Sequence, residues 1–383
     1  MRTDYALLIE QQKKYIEKVF RRNKLRIPLL ALSPKMRKTF RKYTVHTSCS
    51  DEEDEFNYLS QVVDEIDRNA MFRFLNRVLH RIEDFVFEKK YKNQFYFVKK
   101  KLRREKEIYL SIVCIIKNEA RYIREWIAYY KIMGVDHIFL FNNDSTDNVE
   151  STINGDVQSG YVTLINFPGA NAQLPAYRLA AKALKGVCRW VAFIDADEFV
   201  IPIEGNLKEY LVKREQFPAI GINWVVYGTG GHVERPEGLV AENYLYTFED
   251  KNNLLNLRIK SIANPKEIYD ISSPHYCILK HGKYAVDEDD EEITSKWMYV
   301  SGSGAAFTGE NKTQKVRINH YWTKSEQDLR EKCNRGYAAG GFNPDYENIM
   351  KRLDYPQKED RAIIPYVDKI KDMLNKSDKI GTY

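Results

Sequence analysis

No stretch of the 383 residues is apolar for long enough to span a bilayer, which excludes a membrane-spanning helix. The opening MRTDYALLIEQQKKYIEK turns polar before an apolar core can form, so no secretory leader is expected. Cysteine is scarce: Cys49, Cys114, Cys188, Cys277 and Cys333 are odd in number, scattered and without C-x-x-C spacing. That pattern argues against a disulfide framework or a zinc knuckle and for a reducing, cytoplasmic setting. There is no internal repeat, and no stacking motif accompanies the basic residues, so nucleic acid is not an expected partner.

What is present is a folding chain with an uneven charge. Hydrophobic residues make up 43% of it, which excludes wholesale disorder, and the length suits one large domain with a smaller appendage. Residues 11–43 hold twelve lysines and arginines against one acid, Glu17, a local net of +11 within a total of +6. Phe20, Leu25, Ile27, Leu29, Leu30, Leu32 and Phe40 interleave with that charge. Such a segment suits either an anionic membrane surface, placing the protein peripherally at the inner face, or an ordinary helical region with a solvated basic face.

Residues 1–107 have helical spacing and carry no catalytic candidate, and they are expected to form a mostly helical extension. The character changes at Ile108. The segment 109–148 parses as a strand over 110–116, a helix over 120–133, Gly134 at the helix stop, and a strand over 137–141. A strand at 162–165, a helix at 176–184 and the run RWVAFIDADEFV (189–200) continue the alternation. Residues 108–345 are therefore expected to be a three-layer α/β sandwich on a mostly parallel sheet, followed by a helical tail over 346–383. The acidic patch 287–292 reads as a solvated loop.

The run RWVAFIDADEFV poses the central chemical question. Trp190 to Ile194 is continuously apolar and suits a strand buried on both faces, ending in Asp195, Asp197 and Glu198. Ligands of open α/β sheets bind beyond the strand carboxyl ends. Adjacent carboxylates repel, so this edge requires a cation, and a divalent ion shared with phosphate oxygens meets that need. A solvated acidic turn is the plainer reading of a D-x-D alone.

Three blocks in order, CIIKNEARYIREWIAYYKIMGVDHIFLFNNDSTDN, FIDADEFV and INHYWTKS, resemble the glycosyltransferases of the family 2-like and family 92 group, which have the GT-A fold. The resemblance covers about 108–342. It implies inverting transfer of a hexose from a nucleotide-diphosphate sugar, UDP-linked, to a glycan or glycolipid of surface polysaccharide or lipopolysaccharide synthesis. Residue by residue, it implies that Lys117, Asn118, Glu119, Asn142, Asn143 and Asp144 face the base and ribose. Family members usually carry an acid where this chain has Asn142. The resemblance further implies that Asp195, Asp197 and His320 hold Mn2+ or Mg2+, and that Lys324 and Arg335 bind phosphate, with Lys260 as a further candidate.

A single displacement needs a base on the acceptor side. His232 and Glu234, on the loop after the apolar run 221–227, are the candidates, with His275 as a third. Two other readings stand beside this one: a non-catalytic adaptor that binds sugar nucleotides, and a haloacid dehalogenase-like phosphotransferase. The latter wants Thr or Val two residues after the second Asp, where this chain has Phe199.

Overall fold

The computed structural model describes residues 108–293, 307–336 and 345–380, together with scattered helical positions before 108. The expected extension over 1–107 and the basic segment 11–43 therefore lie almost wholly outside the described residues. Among the described residues no helix is long and apolar enough to cross a membrane.

The chain opens with β1 (Ile108–Ile116), α1 (Ile123–Ile132), β2 (His137–Asn142), β3 (Val162–Asn166), α2 (Gln173–Leu184) and β4 (Cys188–Phe193). It continues through β5 (Glu198–Pro202), β6 (Ala219–Val226), the short helix α3 (Val240–Asn243), β7 (Tyr246–Phe248) and β8 (Ile259–Ala263). There follow β9 (Ile268–Asp270), β10 (Ile278–Leu279), β11 (Ala285–Val286), β12 (Val316–His320), α4 (Glu326–Arg335), β13 (Gln357–Glu359) and α5 (Val367–Ile380). Nine strands form one sheet, in the order β3-β2-β1-β4-β8-β6-β12-β5 with β11 beside β6. Strands β1 to β4 run parallel, whereas β8 is antiparallel to both β4 and β6, and β5 is antiparallel to β12.

Side chains alternate between the two faces of a strand. Leu110, Ile112, Cys114 and Ile116 of β1, with Trp190 and Ala192 of β4, pack under α1 against Trp126, Tyr129 and Tyr130. Val113 and Ile115, with Val191 and Phe193, pack on the opposite face against Ala176, Tyr177, Ala180 and Leu184 of α2. Both faces being covered explains why these strands read as unbroken apolar runs. The expected α/β sandwich on a mixed, largely parallel sheet is thus observed.

Three readings need correction. RWVAFIDADEFV is two strands: β4 ends at Phe193, and β5 starts at Glu198 in the opposite pairing sense, with His320 directly across from Glu198. The acids therefore occupy a turn between two strands. The patch 287–292 is only partly solvated, because the Glu288 carboxylate is buried and accepts from the backbone of Gln314, Lys315 and Val316, while Asp287 pairs with Lys312 at 2.8 Å. The segment after 346 contains the expected helices but is built into the body: β13 pairs with β7, and Ile363, Val367 and Ile370 are buried in the core on the α1 side.

Candidate active site

Helix α1 fixes the acidic turn. Trp126, Tyr129 and Tyr130 fall on one face at i, i+3 and i+4 spacing, and each uses its polar tip on the backbone around the acids. The Trp126 indole donates to the carbonyls of Asp195 (3.1 Å) and Glu198 (3.0 Å). Tyr130 Oη donates to the Glu198 carbonyl and accepts from the Val200 amide, and Tyr129 Oη donates to the Val200 carbonyl at 2.7 Å. The turn closes on itself through Glu198 N–H to Asp195 O at 3.0 Å and Asp195 N–H to Glu198 Oε2 at 2.9 Å.

Each acid has found its cation within the chain. Lys260, projecting from β8 and fully buried, lies 2.7 Å from Asp195 Oδ2 and 3.4 Å from Glu198 Oε2. Tyr177 Oη donates to Asp195 Oδ1 at 3.1 Å. Lys332 of α4 lies 2.7 Å from Asp197 Oδ2, and His320 Nε2 lies 3.5 Å from Asp197 Oδ1. Burial would lift the Asp197 carboxyl, but Lys332 and His320 outweigh it and hold it well below the usual range. Burial raises Glu198 above its ordinary value. For Lys260, burial opposes charge, yet Asp195 and Glu198 raise the ammonium further. Burial lowers the His320 imidazole despite Asp197, and its ring meets Trp224 in a tilted contact with centroids 4.2 Å apart.

The three residues expected to hold a divalent ion do not converge as a ligand set. Asp197 and His320 meet, but Asp195 turns to Lys260, and both aspartates have an ammonium group at hydrogen-bond distance. Among the described residues no group of three His, Cys, Asp or Glu side chains is placed to hold a metal. An ion entering here would meet two fixed positive charges, so the donor set does not fit Mn2+ or Mg2+ in this arrangement.

Beside the turn lies a cleft of about 630 Å³ between the first βα loop (118–122) and residues 322–335. Lys324, Lys332, Arg335 and Arg235 line it together with the acids Glu119, Asp147, Asp328 and Glu331, as do Trp322 and Thr323. Helix α4 is set by a reciprocal cap between Ser325 and Asp328 and is stopped by Gly336 at φ 71, a left-handed conformation suited to glycine. Asp328, Lys332 and Arg335 share one face of it at i, i+4 and i+7.

Some expected site residues serve the scaffold. Arg335 places its guanidinium on the carbonyls of Lys117 (2.5 Å) and Asn118 (2.9 Å) and on Glu119 Oε1 (2.5 Å), so it braces the first loop where a phosphate contact was expected. Asn118, at φ 54, accepts from Thr146 N–H at 2.7 Å. The Asn142 amide donates to Glu150 and Asn166, the Asn143 amide to the carbonyls of Phe167 and Gly169, and Asp144 accepts from Gly169 N–H. These three, expected to face the nucleotide, fasten loops as turn-forming residues do. His232 Nε2 lies 3.1 Å from the Asn243 carbonyl, Glu234 is exposed, and only their neighbour Arg235 lines the cleft. His275 Nδ1 lies 3.2 Å from the Ile259 carbonyl, its imidazole held well below the usual range by burial and Lys260. That makes it a structural group. Lys332 was not among the expected residues, although the S-x-x-D cap and the shared face of 328, 332 and 335 were readable.

The sequence profile of glycosyltransferase family 92 matches residues 109–333. A family 92 protein of Ricinus communis is similar at 26% identity over 49% of this chain and 35% of its own length. One of Oryza sativa subsp. japonica is similar at 30% identity over 47% of this chain and 31% of its own length. The chain thus spans about a third of the length of these curated relatives. Among solved structures, Staphylococcus aureus TarS 1–349 in complex with UDP aligns over 58% of this chain and 63% of its own, at 12% identity and a TM-score of 0.32. Glucosyl-3-phosphoglycerate synthase from Mycobacterium tuberculosis, in complex with Mn2+ and UDP-glucose, aligns over 32% of this chain and 45% of its own, at 19% identity and a TM-score of 0.22.

Proposed function

Because the chain belongs to glycosyltransferase family 92, we propose that it transfers a hexosyl group from a nucleotide-diphosphate sugar, UDP-linked, to a glycan or glycolipid acceptor with inversion. The observation that carries this reading is the joining of the 195–198 turn, through Lys332, to a cleft whose lining mixes Arg121, Arg235, Lys324, Lys332 and Arg335 with Glu119, Asp147, Asp328 and Glu331. Lys332 links the two, lining the cleft while holding Asp197. A diphosphate needs convergent positive charge, and a leaving diphosphate needs it more as its bond to the sugar breaks. The first loop, braced by Arg335, forms the opposite wall, where Asn118 and Glu119 are within the lining and are proposed to meet the nucleotide.

The base for the acceptor hydroxyl is proposed on the loop carrying His232 and Glu234, which borders the cleft through Arg235. The expected Mn2+ or Mg2+ is not part of this proposal, since the carboxylates that would hold it are engaged by lysines. The basic stretch 11–43 supports a peripheral contact with an anionic membrane bearing a lipid-linked acceptor.

The test is incubation of the full chain with UDP-, GDP-, CDP- and ADP-sugars, with hydrolysis or transfer followed by release of the nucleoside diphosphate. Turnover of one donor class, abolished in Glu234→Gln or His232→Ala with donor binding retained, is the expected result. Binding without turnover would instead identify a non-catalytic sugar-nucleotide adaptor, and phosphate release from unrelated monoesters would identify a phosphotransferase.

A further inference from the structure

We infer that the positive charge opposite the donor diphosphate is supplied by the chain itself, by Lys324 and Lys332, so that the leaving diphosphate is neutralised without a divalent ion. This rests on the glycosyl-transfer reading and names the groups that carry it out. Three observations lead here.

The first is the charge balance of the acidic turn. Asp195 and Glu198 share the buried Lys260, and Asp197 has Lys332, so the repulsion that would recruit a metal is already offset by ammonium groups at 2.7 Å.

The second is Lys324, which is buried and lines the cleft. Its backbone is left-handed at φ 54, an uncommon conformation for a residue with a side chain. Its Nζ sits 4.6 Å from the centroid of the Tyr122 ring, and its charge acts on Glu125, Asp197 and Asp328 without a direct ion pair to any of them among the described residues. A buried ammonium held on an aromatic face by a strained backbone, with no carboxylate in direct contact, has donors left for an anion entering the cleft. The third is Thr323, whose buried hydroxyl lines the same cleft and has no hydrogen-bond partner.

Two ammonium groups and a hydroxyl donor on one cleft wall match a diphosphate in charge and in donors. In the transfer step the bond between the anomeric carbon and the β-phosphate oxygen breaks, and its electron pair leaves on that oxygen. The acceptor oxygen forms the new bond to the anomeric carbon, and its proton passes to the base. Lys332 adds the phosphate oxygens to its contacts while keeping Asp197 at 2.7 Å.

The measurement is calorimetric titration of the full chain with UDP, GDP, CDP and ADP, once in EDTA and once in Mn2+. One nucleoside diphosphate is expected to bind in EDTA with an affinity within about threefold of that in Mn2+. Lys324→Met and Lys332→Met should each weaken that binding by about tenfold or more, as loss of a charge-assisted phosphate contact does. Lys332→Arg, which keeps the ion pair with Asp197 and the fold, should retain most of it, and the wild-type affinity should fall with added salt. Binding in EDTA that neither Lys→Met variant weakens would overturn the inference. Binding only in Mn2+ would overturn it too while leaving glycosyl transfer standing, and no binding under either condition would overturn both.

Discussion

Asp197 lies in the turn between β4 and β5, where its partner is Lys332 of α4. From the sequence, its neighbours are acids, so Asp197→Asn is expected to relieve repulsion and leave stability equal or higher. With Lys332 at 2.7 Å the opposite sign is expected, because removing the carboxylate takes the ion pair from a half-buried ammonium that keeps the Trp322 carbonyl. We expect a loss of roughly 1–3 kcal/mol, seen as a lower melting temperature at pH 7, with Lys332→Met in the same background recovering part of it. The Asp197 carboxyl is depressed in the fold, so its contribution is present above the unfolded value near 3.8 and is lost as pH falls through the lower folded value. Glu125 works in the opposite sense. Burial pushes it up to about 7, although it accepts from the Val240 and Ala241 amides that open α3. Between about 4.5 and 7 the folded chain holds a proton there that the unfolded chain does not, so stability falls as pH rises through that window, by up to about 3 kcal/mol. Melting curves from pH 5 to 7 should show this slope, and Glu125→Gln should flatten it; an unchanged slope would assign the effect elsewhere. Asp195, Asp197 and His320 were legible as residues because they stand in recognisable blocks. Their partners were not, since Lys260 and Lys332 lie 65 and 135 positions from the aspartates they hold.

At the scale of elements, the alternation of strands and helices up to β4 was legible because a strand covered on both faces leaves an unbroken apolar run. The break between β4 and β5 was hidden for the same reason: Phe199, Val200 and Ile201 continue the run while the chain changes partners. What marks the break physically is α1, whose Trp126, Tyr129 and Tyr130 hold the turn by its backbone. Tyr130→Phe removes one donated and one accepted hydrogen bond without changing shape. The expected cost is about 1–3 kcal/mol, and because the turn carries the acids, weaker binding of the nucleoside diphosphate should accompany the lower melting temperature. A stability loss with unaltered affinity would show that α1 supports the sheet but does not position the site.

For the whole molecule, the sandwich was legible and the cleft was not. One of its walls follows β1 and the other precedes and includes α4, and no local pattern reports that two segments some 200 residues apart face each other. The charge asymmetry was legible at once and leads to a test at the same scale. Changing Lys13, Lys14, Lys18, Arg21 and Arg22 to Gln should reduce cosedimentation with vesicles rich in phosphatidylserine, most clearly at low salt, and leave nucleotide binding intact. Equal cosedimentation of the two proteins would remove the membrane contact from the proposal.

The sheet order carries a consequence for synthesis. A ribosome delivers β1 to β4 first, and these parallel neighbours pair among themselves. The aspartates then emerge long before the lysines that match them: Lys260 arrives with β8, and Lys332 only after β12. Until then Asp197 lacks Lys332 and β5 lacks β12. The site is thus the last part of the sheet to close, and pulse-labelled hydrogen exchange during refolding should find the amides of 188–193 protected before those of 198–202.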